Sequence, residues 1–379
     1  MWDISPTSIG NSGSLPQTIE AQRDFYDLDN GGDYSPGHAL NPATGTPYIA
    51  QMVPRGDYTR VTVQFWADGP STAETPAGFF IKILNSVSDE SGFEKRFKGE
   101  GAVLDDLEWD VKSYFTMGGA MQDAGVATWG IKGWHDYVRP LSAIRYMCAR
   151  GQSADPMMNS YDPEGIQLKP GFIELVQSGD PLAGVSDEHV GKIKLNAWRG
   201  PDYVANPVTD VAGVDWILCE NWWPYQRSNF VTPPFAGYIS GHSTLTRAGA
   251  EVMTLLTGDE YFPGGLAEFH AAQNQFLAYE NGPSVDVTLQ FATYRDLADS
   301  AGISRLWAGV HPPLDDIAGR RTGRIVGNNA FERAKQYFNG TVSSESKGGA
   351  LSGWGLLLLG IFAVVRRFHR LIIRKRFWQ

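Results

Sequence analysis

The chain has 379 residues, enough for one large domain or two small ones, and its 42% hydrophobic and 12% aromatic residues can fill a sizeable core, so disorder is not the default. The net charge is −10; six basic residues and no acid lie in 350–379, leaving 26 basic against 42 acidic residues, a net −16, over 1–349. Such an acidic body argues against a nucleic-acid partner and suits an exported protein.

Met1-Trp-Asp-Ile-Ser has neither the basic start nor the apolar run of a signal peptide. Residues 1–60, rich in Gly, Pro, Asn and Asp, read mostly as loops, and 1–85 as a loop-rich N-terminal segment. Asp27, Asp29, Asn30 and Asp33 superficially resemble a calcium loop, but the glutamate that closes an EF-hand is absent, so they read as a turn cluster. Arg60–Ala67 fits a short strand or a helix equally, and 68–76 is a loop. Leu104, Leu107, Val111, Tyr114, Phe115 and Met121 are spaced for one long helix to about Trp129, which delivers Lys132 just past its end. Arg139 follows on the next turn or helix, with Pro140 suited to a helix start.

Residues 149–235 are loop-rich, with a helix expected near Ile173–Ser178 and packed structure near the site over Trp216–Tyr225. Phe235-Ala-Gly-Tyr-Ile-Ser-Gly-His242 runs into a helical pattern, Leu245, Val252, Met253, Leu255 and Leu256, that Gly258 stops. A helix over Val287–Ala308 carries Ser304 and Arg305; Gly309 and Pro312-Pro313 end it and leave His311 on a constrained turn. A last helix over Leu314–Phe338 stops at Asn339-Gly340. Cys148 and Cys219 lack metal-like spacing; a disulfide and two buried thiols both stay open. After a Ser/Gly linker over 341–349, Ala350–Val365 is an uncharged apolar run of about 24 Å as a helix, close to the ~30 Å of a bilayer core. The arginines behind it suit a cytoplasmic end, so 350–379 reads as a single apolar helix anchoring the chain.

Ser240 and Gly241 stand at a helix N-terminus, where unpaired N–H groups and the dipole favour an anion. Alone, Ser-Gly-His is three common residues, an N-cap, a turn and a chance histidine. Two further stretches change its weight, Lys132-x6-Arg139-Pro140 and Ser304-Arg305-x5-His311-x3-Asp315. Together they bring three fixed cations, a hydroxyl, a glycine amide and two histidines, the inventory that neutralising a tetrahedral oxyanion requires.

In order and spacing these stretches resemble the signature of the vanadium-dependent haloperoxidases, which share their anion site with the type 2 phosphatidic acid phosphatases and bacterial acid phosphatases. The resemblance runs from about Leu104 to Gly340, and Ile239 departs from it where the family usually has proline. It implies a mainly α fold, a helical bundle with long loops, over 86–340, and an enzyme of which this chain is similar to the C-terminal part. It also implies vanadate as cofactor and hydrogen peroxide and halide as substrates, with hypohalous acid as product. By the same resemblance His311 bonds vanadium. Lys132, Arg139, Ser240, the Gly241 amide and Arg305 hold its equatorial oxygens, His242 serves the axial oxygen as acid–base group, and Asp315 takes the other N–H of His311. Trp129 and Phe235 match the aromatic offsets of fungal chloroperoxidases of the family, which implies a chloroperoxidase-like halide pocket. His38, His135, His189, His270 and His369 read as ordinary surface or loop residues, with His135 near the site.

The tail resembles Gly-Gly-type bacterial sorting signals, Gly348-Gly349 preceding the apolar run, which implies export and temporary anchoring before release. Two other readings compete. A phosphatase would use His311 as nucleophile at the same anion site, with Asp315 orienting it and His242 protonating the leaving group. An inert surface protein would keep the fold for binding alone.

Overall fold

The computed structural model describes residues 38–67 and 74–342. The calcium-like turn cluster, the apolar tail with its sorting signal and His369 all lie outside the described residues. The chain divides into two compact units, Met1–Ala334 and Lys335–Gln379. The first holds everything below; the second is described only at the last turn of one helix and the residues just after it.

Among the described residues seven α-helices form the frame: α1 Arg55–Phe65, α2 Pro76–Ser88, α3 Asp106–His135, α4 Pro140–Arg150, α5 Gly241–Thr257, α6 Tyr294–Trp307 and α7 Pro313–Phe338. The mainly helical expectation therefore holds in outline. Two small antiparallel sheets that the sequence reading did not include accompany the helices. One is β1 Ile173–Leu175, β2 Ile193–Trp198 and β3 Val214–Leu218; the other pairs β4 Ala267–Ala271 with β5 Val287–Phe291.

Helix α5 is the central element. Every residue from Gly241 to Met253 is buried, and α5 packs against α2, α3 and α6. Its neighbours come very close: a Cβ on Gly249 would meet the Phe80 ring at 2.5 Å. The core beside it joins Phe80, Trp109, Met117, Leu256, Leu297 and Phe331. Each such side chain contributes about 1.5–3 kcal/mol by leaving water. Ser240 caps the start of α5, accepting from Ser243 N, and Gly258 ends it in the left-handed conformation.

Four expectations are corrected. The ambiguous stretch at Arg60 is helical, and that helix begins at Arg55, inside what read as loop. Helix α3 runs past Trp129 to His135, so Lys132 sits within its last turn; Asp136 at φ 43° stops it, donating its N–H to Lys132 O. The helix expected at Ile173–Ser178 is strand β1, paired to β2 with Ile173 opposite Leu195. The helix expected over Val287–Ala308 is two elements. Val287, Leu289 and Phe291 alternate inward as a strand, and α6 begins only after Thr293, whose hydroxyl and the Asp296 carboxylate form a reciprocal cap. The question about the cysteines is resolved: Cys148, at the end of α4, is disulfide-bonded to Cys219, just past β3.

Candidate active site

Three cations are buried together where α3, α4, α6 and the turn before α5 converge. Lys132 Nζ donates to the carbonyls of Ala236 and Gly237, each at 2.8 Å. Arg139, the residue just before α4, donates from Nε to Phe235 O at 2.9 Å, from Nη2 to Ala236 O at 3.2 Å and from Nη1 to Val310 O at 2.9 Å. Arg305, on the last turn of α6, donates to Trp66 O at 3.2 Å. Burial, then Arg139 and Arg305, push the Lys132 ammonium down to about 7, with Asp315 opposing the fall.

His311 faces this cluster. Its Nε2 lies 2.9 Å from Arg139 Nη1, and its Nδ1 lies 2.7 Å from Asp315 Oδ2. Guanidinium can only donate, so Nε2 accepts; Nδ1 therefore carries the proton and donates to the carboxylate. Burial, then Arg139, Lys132, Arg305 and His242, hold the imidazole neutral, its pKa well below the ordinary value. Burial lifts Asp315 to about 6, with Lys132 and Arg139 pulling it back, so it is charged at neutral pH. Its backbone carbonyl also accepts from Ser240 N at 3.0 Å, which locks the turn before α5 to the start of α7.

His242, at the start of α5, donates from Nε2 to Trp66 O at 2.8 Å, the same carbonyl that Arg305 reaches. Trp129 lies over Gly241: a Cβ there would meet the indole at 3.3 Å. Trp129 and Phe235 are half exposed, 46% and 41%, with ring centroids 5.5 Å apart. The Phe235 ring is 5.3 Å from Lys132 Nζ and 5.2 Å from Arg139 Cζ, close enough for cation–π attraction. The aromatic pair is thus a wall at the edge of the cation cluster.

The structure therefore brings Lys132, Arg139, Arg305, His242, His311, Asp315, Ser240 and Gly241 to one place. Sequence reasoning missed four participants: Ser243, Asp316, Arg320 and the Trp66 carbonyl. Ser243 places its hydroxyl 2.8 Å from Ser240 Oγ and donates to Asp316 Oδ1 at 2.7 Å, and Arg320 Nε holds the same carboxylate oxygen at 2.9 Å. Ser243 has a single proton; given to Asp316, it leaves the Ser243 oxygen to accept from Ser240. Asp316, beside Asp315 on a Pro-led helix start, was the available signal. The Trp66 carbonyl had none, because a backbone atom leaves no mark in a sequence. His135 packs edge-on to Tyr238, centroids 5.0 Å apart, and takes no part in the cluster.

Among the described residues no three His, Cys, Asp or Glu side chains converge as a cage for a bare metal ion. The donors are those of an oxyanion site. Two buried guanidiniums, Arg139 and Arg305, and Lys132, partly protonated at neutral pH, face one ionised carboxylate, Asp315, while Asp316 is paired with Arg320. The excess positive charge calls for an anion, and the Nε2 lone pair of His311 is the one imidazole acceptor turned to the cations. The residues fit vanadate.

The sequence model of the VCPO second helical-bundle domain matches residues 112–340. The chain belongs to the vanadium haloperoxidase family. Solved structures similar to this family member include a holo-type bacterial vanadium-dependent chloroperoxidase, 16% identical over 74% of this chain and 44% of that one, TM-score 0.48. The apo-type enzyme is 16% identical over 76% and 50%, TM-score 0.46. The first bacterial vanadium-dependent iodoperoxidase is 18% identical over 73% and 43%, TM-score 0.40. The chain spans about half the length of these structures. Curated proteins offer no match.

Proposed function

We propose that the chain is a vanadate-dependent haloperoxidase that oxidises halide with hydrogen peroxide to hypohalous acid. The observation that carries this is the buried three-cation cluster around a neutral His311 whose tautomer Asp315 fixes. Vanadate, when bound, supplies a Lewis-acid centre that activates hydrogen peroxide toward halide. Lys132, Arg139 and Arg305 exchange backbone carbonyls for the anion's oxygens and spread its charge, and the Gly241 amide, with Ser240 once its O–H turns away from Ser243, adds donors at the start of α5. His311 offers Nε2 as the protein's bond, kept basic and oriented by Asp315. His242 holds and moves the proton at Nε2. Trp129 and Phe235 keep water from the halide's approach, an aromatic wall that supports a chloroperoxidase-like preference.

The His311–Asp315 pair beside three cations also suits a phosphohistidine nucleophile, so a phosphatase is the second reading. Purified protein loaded with vanadate should brominate a dye in hydrogen peroxide, with phosphate competing. His311→Ala should lose most vanadate affinity; His242→Ala should keep vanadate and lose turnover by ~10²–10⁴-fold. Phosphomonoester hydrolysis without vanadate-dependent halogenation would hand the site to the second reading.

A further inference from the structure

A cavity of about 330 Å³ lies between α4, β2, the stretch after β3 and the end of α6, and it reaches His311. Its size falls within the ~300–1,000 Å³ of small-molecule sites. Trp198, Trp222, Trp223, Tyr225 and Trp307 are among its walls, and no Asp, Glu, Lys or Arg lines it. Lys132, Ser240, Gly241 and His242 do not line it either, so it is distinct from the oxyanion site and meets it only at His311.

The walls select an occupant. An anion would find no cation in the lining. A cation would meet aromatic faces, but Arg145 already lies 5.7 Å from the Trp223 ring, and Arg139 holds His311 at the cavity's edge. An uncharged flat molecule gains most, since each offset or edge-on ring contact is worth ~0.5–1.5 kcal/mol beyond burial. One polar requirement is visible. The indole N–H of Trp223, a residue of the cavity wall, is buried and has no acceptor, and an occupant whose oxygen displaces the ring enough to reach it would remove that cost. Gly309 couples the cavity to the site: a Cβ there would strike the Trp222 ring at 2.9 Å, so Trp222 rests directly on the turn that carries His311.

We propose that this cavity binds an uncharged aromatic molecule bearing one hydrogen-bond acceptor, and holds it beside His311 as the organic acceptor of oxidised halide. The second half rests on the haloperoxidase reading. The step balances as hypohalous acid plus arene giving haloarene plus water. A carbon–halogen bond forms while the halogen–oxygen and carbon–hydrogen bonds break. The arene carbon is oxidised and the halogen reduced, and the arene's proton leaves with hydroxide as water.

The probe is 2-naphthol, titrated calorimetrically into the full chain without vanadate, with 2-naphthoate as the charged comparison. We expect naphthol binding that Ala143→Trp, which fills the cavity from α4, weakens at least ~10-fold, and no naphthoate binding. Ala143→Leu repeats the test if the larger side chain disturbs folding, and Trp223→Phe should weaken naphthol but not naphthalene. Equal naphthol affinity in the wild type and both Ala143 variants, or tighter naphthoate binding, overturns the cavity. With vanadate, peroxide and bromide, wild type should give a bromonaphthol isomer ratio unlike that of free hypobromous acid, and Ala143→Trp should restore the free ratio. Specific binding with the free ratio in wild type overturns the acceptor role and leaves the pocket standing. Specific binding with no halogenation of any acceptor overturns the acceptor role together with the haloperoxidase reading.

Discussion

Lys132 shows how far one residue's environment departs from its letter. The sequence marks it as a cation seven residues before Arg139, and that spacing sufficed to place both in one site. What the letter does not carry is burial among like charges, which brings the ammonium to about 7. An unfolded lysine titrates near ~10.4, so between about pH 7 and 10 the unfolded chain holds the extra proton. From this group the anion-free protein therefore gains stability as pH rises through that window. A bound oxyanion favours the charged form and draws the proton back. Vanadate binding at pH 8 should take up close to one proton more in wild type than in Lys132→Met. Titration calorimetry in two buffers of different ionisation enthalpy measures it, and equal uptake in both proteins would refute the assignment. Ser243 and Asp316 were less legible. Their roles arise from a helix cap and a neighbouring helix meeting in space, and Ser240-x-x-Ser243 alone reads as a common capping pattern.

At the scale of elements, helix periodicity found α5, most of whose apolar positions are buried, and it located α3 and α7 without finding their inner faces. Leu107, Val111, Tyr114 and Phe115 of α3 are exposed while Trp109, Met117 and Ala120 face the core, and α7 buries mainly glycines and charged residues. Periodicity failed at β1 and β5. A three-residue strand is too short to show alternation, and Val287, Leu289 and Phe291 merge with the apolar positions of α6. The cap Thr293-x-x-Asp296 marked the true boundary. The close packing of α7 on α5 was invisible in the pattern and depends on Gly319, Gly323 and Gly327. A Cβ on Gly319 would lie 2.8 Å from Ser240 O, and one on Gly323 2.4 Å from Thr244 O. Gly319→Ala should cost about 1–3 kcal/mol of stability by overpacking and also weaken vanadate binding, because it pushes on the turn that holds Ser240. Gly323→Ala should cost stability with a smaller effect on binding. Denaturant unfolding and vanadate titration of both variants check this. If Gly319→Ala binds vanadate as wild type does, the glycine serves packing alone.

Across the whole molecule, the Cys148–Cys219 disulfide ties α4 to the region after β3 over a separation of 71 residues. A loop of that length is worth about 4 kcal/mol through the unfolded chain. Cys148→Ser should lower stability by about that amount, read as a shift in the urea midpoint; an unchanged midpoint would show that the bridge contributes nothing. Such a bond persists in oxidising compartments. The sequence could offer these cysteines only as one of two possibilities, since pairing depends on where distant elements meet. The carbonyls around the cation cluster have a wider consequence. Ala236, Gly237, Phe235, Val310 and Trp66 already solvate Lys132, Arg139, Arg305 and His242 from within. Loading an oxyanion is therefore an exchange, in which the guest must outbid the protein's own backbone at several donors at once. A singly charged halide brings too little to win that contest. A compact anion with several oxygens can replace the carbonyls one for one. The cage thus discriminates by the number of bonds a guest can repay, and the chain can fold and persist before its guest arrives.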